Sequence, residues 1–406
     1  MKVLLVSHTC ISRTAGQPKA HCLAAYPDID LSVLVPDRMK TYGQWQSAEL
    51  PEHPTAFKFA AGHTRWRSVR GLWYLQHYAD SALPGLLAAK PDIIDIWEEP
   101  WSLACAQTIF LAKRYCPNAK IIVETEQNIF KHLPVPFKQL QAYSLRHADF
   151  VVARSREAEA VVKQKGYAKP TTVVPNAVDC TLFQPQSDAE KAARRAELGW
   201  DSPGDFVIGY VGRLVPEKGL ADAVHALALL PPSAKLVLIG DGPFRPALEE
   251  IVRAQNCQTR VLFTGPVPLA ALPGLMNAMD ILVLPSHTTV TWKEQFGRVL
   301  IEAGACGLPV VGSGSGAIPE VVGDAGLIFP EGDIPAFAAA LQSLMDDPTR
   351  RTACGQAGQT RARTLYSWAQ VAAQMSTLYH SLLPNPLPNS PNPLFSQGEG
   401  GEERDG

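Results

Sequence analysis

No stretch of this 406-residue sequence approaches the ~18 consecutive apolar residues that a membrane span requires. Any membrane contact is therefore expected to be peripheral. The opening MKVLLVSHT is a poor signal peptide, because its apolar core is short, His8 interrupts it, and no small-residue cleavage site follows. The eight cysteines (Cys10, Cys22, Cys105, Cys116, Cys180, Cys257, Cys306 and Cys354) form no CxxC pair. This argues against a disulfide framework and a zinc site, and suits reduced, buried thiols in a cytosolic protein. An excess of positive charge is also missing: the net charge of -2 argues against a nucleic-acid binder held by counterion release. The first loop, SHTCISRTAGQPKA, is neither GxGxxG nor GxxxxGK[ST], against a dinucleotide-dependent dehydrogenase or a P-loop ATPase. No internal repeat of solenoid period is present.

What is present suits two α/β domains. Hydrophobic residues make up 46% and charged residues 19%, as in ordinary globular proteins. The segments 3–7, 31–36, 93–97, 120–125, 149–155 and 171–176 are short, apolar and rich in β-branched residues, the signature of strands buried on both faces of a parallel sheet. Amphipathic stretches at 73–90 and 102–115 lie between them. After a polar, turn-rich linker at 176–205, the alternation restarts at 207–212, 235–240, 261–265, 281–286, 309–313 and 327–329. Repeated strand–helix units predict doubly wound sheets. The predicted organisation is an N-terminal Rossmann-like domain (1–180) and a C-terminal Rossmann-like domain (187–367). A helix (368–383) packs near their junction, and a Pro-, Asn- and Gly-rich tail (384–406) is expected to be disordered. Residues 1–186 carry 21 Lys+Arg against 16 Asp+Glu, and residues 187–406 carry 16 against 23. The basic first half suits an anionic surface such as phospholipid; chance asymmetry explains it as well.

The chemistry concentrates between Trp292 and Glu320. Glu294 and Glu302 are eight residues apart on what reads as one helix, roughly 12 Å along its axis and about 80° around it. Both could border one cleft and accept hydrogen bonds from sugar or ribose hydroxyls. The amides of Phe296, Gly297 and Arg298 open the same helix and could face an anion. GRLVPEKG (212–219) sets Arg213 and Lys218 around a tight loop after a strand, suited to a diphosphate or merely a charged surface loop. In GDGP, Gly240 and Gly242 permit close backbone approach, or form a plain turn in which Asp241 caps a helix. GSGSGAIPE (312–320) offers amides to a phosphate, and Glu320 either joins the site or only charges the next helix. In the first domain, Gly16 and Lys19 can approach a ligand across the cleft. Glu126 ends a strand where such sheets place site residues, and Glu98 and Glu99 suit either helix capping or acceptor binding. His8 reads as structural. Trp66, Arg67, Arg70, Trp73, Tyr74 and the run 131–138 mix bases with aromatics, suiting a membrane interface or a packed helix.

With GRLVPEKG, GDGP, PNAVD and EQFGRVLIEAGACGLPVV, residues 1–383 resemble the retaining glycosyltransferases of family 4. These have the GT-B fold, two Rossmann-like domains facing across a cleft. The resemblance implies sugar transfer, of hexosyltransferase type, from a nucleotide-diphosphate donor to a glycan or lipid-linked acceptor. Anomeric configuration is kept, and no metal and no cofactor beyond the donor substrate are required. It assigns Arg213 and Lys218 to the diphosphate, Glu294 and the amides at Phe296 and Gly297 to the donor sugar, and Glu302 to the ribose. Gly16, Gly240 and Gly242 lie near the donor, and Glu126 stands on the acceptor side. Ala15-Gly16 replaces the family's frequent glycine pair, and Glu126 stands near its frequent histidine. The expected setting is polysaccharide or glycolipid biosynthesis, in the cytoplasm or peripherally on the inner membrane face. Two other readings share the architecture: a sugar-nucleotide epimerase, and a non-catalytic subunit of a polysaccharide assembly system.

Overall fold

A strand that is apolar on both faces is stable only with both faces covered. The computed structural model describes residues 1–41, 44–65, 73–200, 202 and 204–384, and covers these strands in two parallel sheets with helices on each side. The first holds β1 (Lys2–Ser7), β2 (Asp30–Pro36), β3 (Lys58–Gly62), β4 (Ile93–Trp97), β5 (Lys120–Thr125), β6 (Phe150–Ala153) and β7 (Thr171–Val173). Their spatial order is β7-β6-β5-β4-β1-β2-β3. The second holds β8 (Phe206–Val211), β9 (Ala234–Ile239), β10 (Val261–Gly265), β11 (Ile281–Leu284), β12 (Val310–Ser313) and β13 (Gly326–Phe329), in the order β10-β9-β8-β11-β12-β13. In each sheet the first strand is central and the strand order reverses beside it. Val3, for example, lies between Leu31 and Ile93. Such reversals open a crevice at the carboxyl ends of the strands, here between β1 and β4 and between β8 and β11.

Five helices bear on those crevices: α1 (Gln17–Ala24), α2 (Arg156–Gln164), α3 (Leu220–Leu229), α4 (Arg298–Ala305) and α5 (Trp368–Ser381). The chain crosses back at its end, and α5 packs on the first domain rather than on the second. Its apolar face (Val371, Met375, Leu378 and Tyr379) is buried in one cluster with Val3, Leu5 and Val33.

Several local readings change. The strand Lys58–Gly62 passes unseen in the sequence because it is a short, half-exposed edge of mostly small residues with no β-branched side chain. The polar 176–205 stretch contains a helix, Asp188–Glu197, closed by a capping box between Ser187 and Glu190. The stretch 73–90 is not one amphipathic helix: only Ala82–Ala88 is α-helical, and His77–Tyr78 pairs with Thr64–Arg65 as a short strand. Trp66, Arg67 and Arg70, and the tail beyond Pro384, lie outside the described residues. Among the described residues no helix is long and apolar enough to cross a membrane.

Candidate functional site

The crevice of the second sheet is built by two loops. After β8, Gly219 takes the left-handed conformation (φ 66°) and ends the turn that carries Lys218. A Cβ at Gly219 would lie 1.8 Å from the carbonyl oxygen of Pro285, so glycine lets this loop press against the one that follows β11. Lys218 Nζ lies 2.5 Å from Glu294 Oε2, Ser286 Oγ donates to the same oxygen (3.0 Å), and the ammonium sits 4.9 Å over the Trp292 ring. Glu294 is 7% exposed. A buried carboxylate needs such partners, because an uncompensated charge away from water is costly.

Glu294 does not share a helix with Glu302. Gly297 has φ 79° and caps α4, so the helix begins only at Arg298 and Glu294 belongs to the preceding loop. The axial spacing expected for one continuous helix therefore does not apply. Glu302 instead borders a cavity of about 980 Å³ together with Arg298, Asp179, Leu269 and Trp368. Burial pushes its carboxyl above the usual range, with Arg298 opposing. Phe296 is buried edge-on against Tyr366, 5.8 Å between ring centres, and its side chain is core.

The glycines of GDGP pack closely against the chain itself. A Cβ at Gly240 would sit 2.0 Å from Gly212 O, and one at Gly242 would sit 2.3 Å from Leu214 O. The turn thus braces the loop of Arg213, whose carbonyl accepts a hydrogen bond from the buried Tyr210 hydroxyl (2.8 Å). Arg213 itself is exposed. Gly16 likewise packs on the backbone of Thr9 and Cys10. In GSGSGAIPE, the Ala317 amide donates to the carbonyl of Glu294 (3.1 Å) and so supports the Glu294 loop.

In the first sheet the crevice between β1 and β4 carries a second ion pair. Glu98 Oε1 accepts from the His8 amide (2.7 Å), and Oε2 lies 2.8 Å from His8 Nδ1. Glu99 accepts from Thr125 Oγ1 (2.6 Å) and from the Glu126 amide (2.8 Å). Neither glutamate caps the following helix; Ser102 does that. They tie together the ends of β1, β4 and β5. They also line a cavity of about 470 Å³ with Trp97, Trp101, Tyr74 and Glu126 on one side and Gln295 and Arg298 on the other. Aromatic faces beside carboxylates and amides suit a polyhydroxylated ring. Lys19 does not reach the cleft; its ammonium is fully buried against Asp95 and Glu124. Arg298, missed as a site residue, borders both cavities. Its signal was a cation in the first turn of an apolar helix, where the helix dipole disfavours it. Among the described residues no three His, Cys, Asp or Glu side chains cluster as metal ligands do.

Burial alone would depress the His8 imidazole, but the carboxylates of Glu98, Glu126 and Glu99 together outweigh it and raise the pKa from 6.5 to about 9. Burial pushes Glu99 from 4.5 to about 7, against the hydrogen bonds from Thr125 and Glu126. Both groups hold their proton more tightly folded than unfolded, so stability from each is present at low pH and lost as pH rises. The windows are 4.5 to about 7 for Glu99 and 6.5 to about 9 for His8. Asp95, raised from 3.8 to about 7, adds to the lower part, so calorimetry is expected to show that part shallower in Glu99→Gln and the upper part shallower in His8→Gln. Slopes unchanged in both variants would refute the assignment.

Residues 190–361 match the family model described as Glycosyl transferases group 1. A D-inositol 3-phosphate glycosyltransferase of Segniliparus rotundus is 31% identical over 353 residues, covering 82% of this chain and 72% of that protein. A GDP-mannose-dependent monoacylated alpha-(1-6)-phosphatidylinositol monomannoside mannosyltransferase of Corynebacterium glutamicum is 32% identical over 214 residues, 51% of this chain. That match spans little more than half of the corynebacterial protein (55%). The sucrose-phosphate synthase of Thermosynechococcus elongatus superposes with a TM-score of 0.71 at 23% identity, over 94% of this chain and 99% of that one. At that identity the likeness speaks for the GT-B fold alone. The similarity to the Segniliparus protein crosses both sheets and the loops that carry Lys218 and Glu294, and on that extent the chain belongs to the group 1 glycosyl transferases.

Proposed function

We propose that this chain is a retaining, metal-independent hexosyltransferase of family 4, moving a sugar from a nucleotide-diphosphate donor to a glycan or glycolipid acceptor. The observation that carries this reading is the buried Lys218–Glu294–Ser286 cluster at the switch point of the second sheet. It sets a cation for a leaving diphosphate beside a carboxylate for sugar hydroxyls. As the glycosidic bond breaks, Lys218 and Arg213 stabilise the charge developing on the diphosphate. Glu294 orients the sugar and is not a covalent nucleophile. The acceptor hydroxyl attacks from the face the diphosphate leaves, and a diphosphate oxygen takes its proton. Glu302 holds the ribose. The aromatic, carboxylate-lined cavity of the first domain holds the acceptor beside Glu126, and the closed cleft excludes water that would hydrolyse the donor. Relatives named for GDP-mannose and for inositol-containing acceptors support a nucleotide sugar and a polyol or glycolipid. A lipid-linked acceptor would bring the basic first half to a membrane surface.

A thermal-shift panel of sugar nucleotides, run with and without a chelator, tests the proposal. The true donor at 100 times its dissociation constant adds about 2.7 kcal/mol of stability, and the chelator leaves that shift in place. Product formed only when an acceptor is supplied marks transfer rather than epimerisation. A panel in which no sugar nucleotide stabilises the protein would refute the reading.

A further inference from the structure

The loop that carries Glu294 is held by the opposite domain at three successive residues. Lys293 Nζ lies 2.6 Å from Glu157 Oε1 on α2. The carbonyl of Glu294 accepts from Asn128 Nδ2 (2.8 Å). Gln295 Nε2 donates to the carbonyl of Glu126 (3.1 Å). Asn128 is 4% exposed, and its Nδ2 also donates to Glu157 Oε2 (3.2 Å). Both partners are pure acceptors, which fixes the orientation of the amide. Glu157 thus holds Asn128 with one oxygen and Lys293 with the other. Alongside, Glu320 of the second domain accepts from the Arg156 amide (3.4 Å) and pairs with its guanidinium (3.7 Å).

We propose that Asn128 is a positioning residue of the first domain that seats Glu294 only while the two domains are closed, with Glu157 anchoring both halves of the clasp. The proposal rests on the reading of Glu294 as a donor-sugar group. The carbonyl of Glu294 has two lone pairs. Ala317, from its own domain, supplies one donor (3.1 Å), and Asn128 supplies the other. Opening the cleft removes the second, so the Glu294 peptide is held by Ala317 alone and the Asn128 amide by Glu157 alone. The Glu294 side chain is fixed to Lys218 and Ser286 within the second domain, so its peptide is the point at which the first domain acts on it. A surface that merely docked two rigid bodies would have no reason to grip the residue bearing the carboxylate. The gain is a donor site completed by closure, so donor chemistry waits for the acceptor-bearing domain.

Asn128→Asp keeps the size but sets a carboxylate against a carbonyl, and Glu157→Gln keeps the shape but weakens the hold on Lys293. Hydrogen exchange in the ligand-free full chain is expected to quicken over residues 288–298 in both variants and to remain unchanged in β1, β4, β8 and β11. With the donor found by the panel, kcat falls about 10-fold or more while donor affinity changes less than about 3-fold, because the loss is of positioning and not of binding. A purely structural role would instead lower protection across both sheets. Unchanged exchange over 288–298 in both variants overturns the proposal, as does a normal kcat in both. Quickened exchange in a protein that binds no sugar nucleotide supports the clasp and removes the sugar-donor reading instead.

Discussion

Glu294→Ala is expected to lower kcat by at least ~100-fold, and Lys218→Ala to do the same, the scale of losing one electrostatic or positioning group. The geometry makes the two losses one loss. The side chains are 15% and 9% exposed and 2.5 Å apart, so removing either leaves the other as an uncompensated charge in a nearly dry site. The double variant should therefore be little worse than the poorer single one, as for residues that act as a unit. Glu294→Gln should fall between wild type and alanine, since an amide oxygen can still accept from Ser286 (3.0 Å in the native chain) but cannot pair an ammonium. Turnover measured with the donor found by the panel, in variants whose Tm is checked first, decides this. Near-normal rates in both alanine variants would end the assignment of this cluster to the chemistry.

Most of the fold was legible because a parallel sheet writes itself into the chain. Twelve of the thirteen strands of the two sheets fall in the short, mostly apolar and β-branched stretches picked out in the sequence, and the exception, Lys58–Gly62, is a half-exposed edge with no β-branched residue. The candidate site was legible only in part. Spacing along the sequence named Lys218 and Glu294, whose loops follow the two strands flanking the switch point. It misjudged what lies between Glu294 and Glu302, because one left-handed residue, Gly297, ends the periodicity that spacing arguments assume. For Gly240 and Gly242 it left a ligand and a plain turn both open, and their close contacts within the chain are with Gly212 and Leu214; a glycine announces close approach without naming the partner. Asn128 escaped notice for a further reason. Its importance comes from lying opposite the other domain, and no local pattern records that.

The same blindness hid a buried group of four charges. Lys19 of α1, Asp95 of β4, Glu124 of β5 and Arg154 just after β6 are all buried, and Glu124 pairs with both cations. Lys19 also lies 3.0 Å from Asp95, and Tyr379 of α5 donates to the same Asp95 oxygen (2.7 Å). Trp97 covers both cations, at 4.8 and 4.6 Å. Desolvation makes such a network poor value as a source of stability, yet breaking it is severe. Burial would push the Glu124 carboxyl up, but Arg154 and Lys19 together hold it below its usual range. Glu124→Ala leaves two buried cations facing Asp95 alone. The expected cost is about 3–5 kcal/mol, the range for removing one partner of a buried pair, read as a shift of the chemical-denaturation midpoint at constant m-value. Tyr379→Phe should cost less, about 1–3 kcal/mol for a buried acceptor that loses its hydroxyl partner. Its effect should be local: α5 is the element that returns from the second domain to the first, so limited proteolysis near residues 365–384 should quicken in Tyr379→Phe while the second sheet stays resistant. A Glu124→Ala protein within about 1 kcal/mol of wild type, below the usual range for a lost buried partner, would mean that water reaches these charges. The floor of the first-domain cavity would then be far more open than its packing implies.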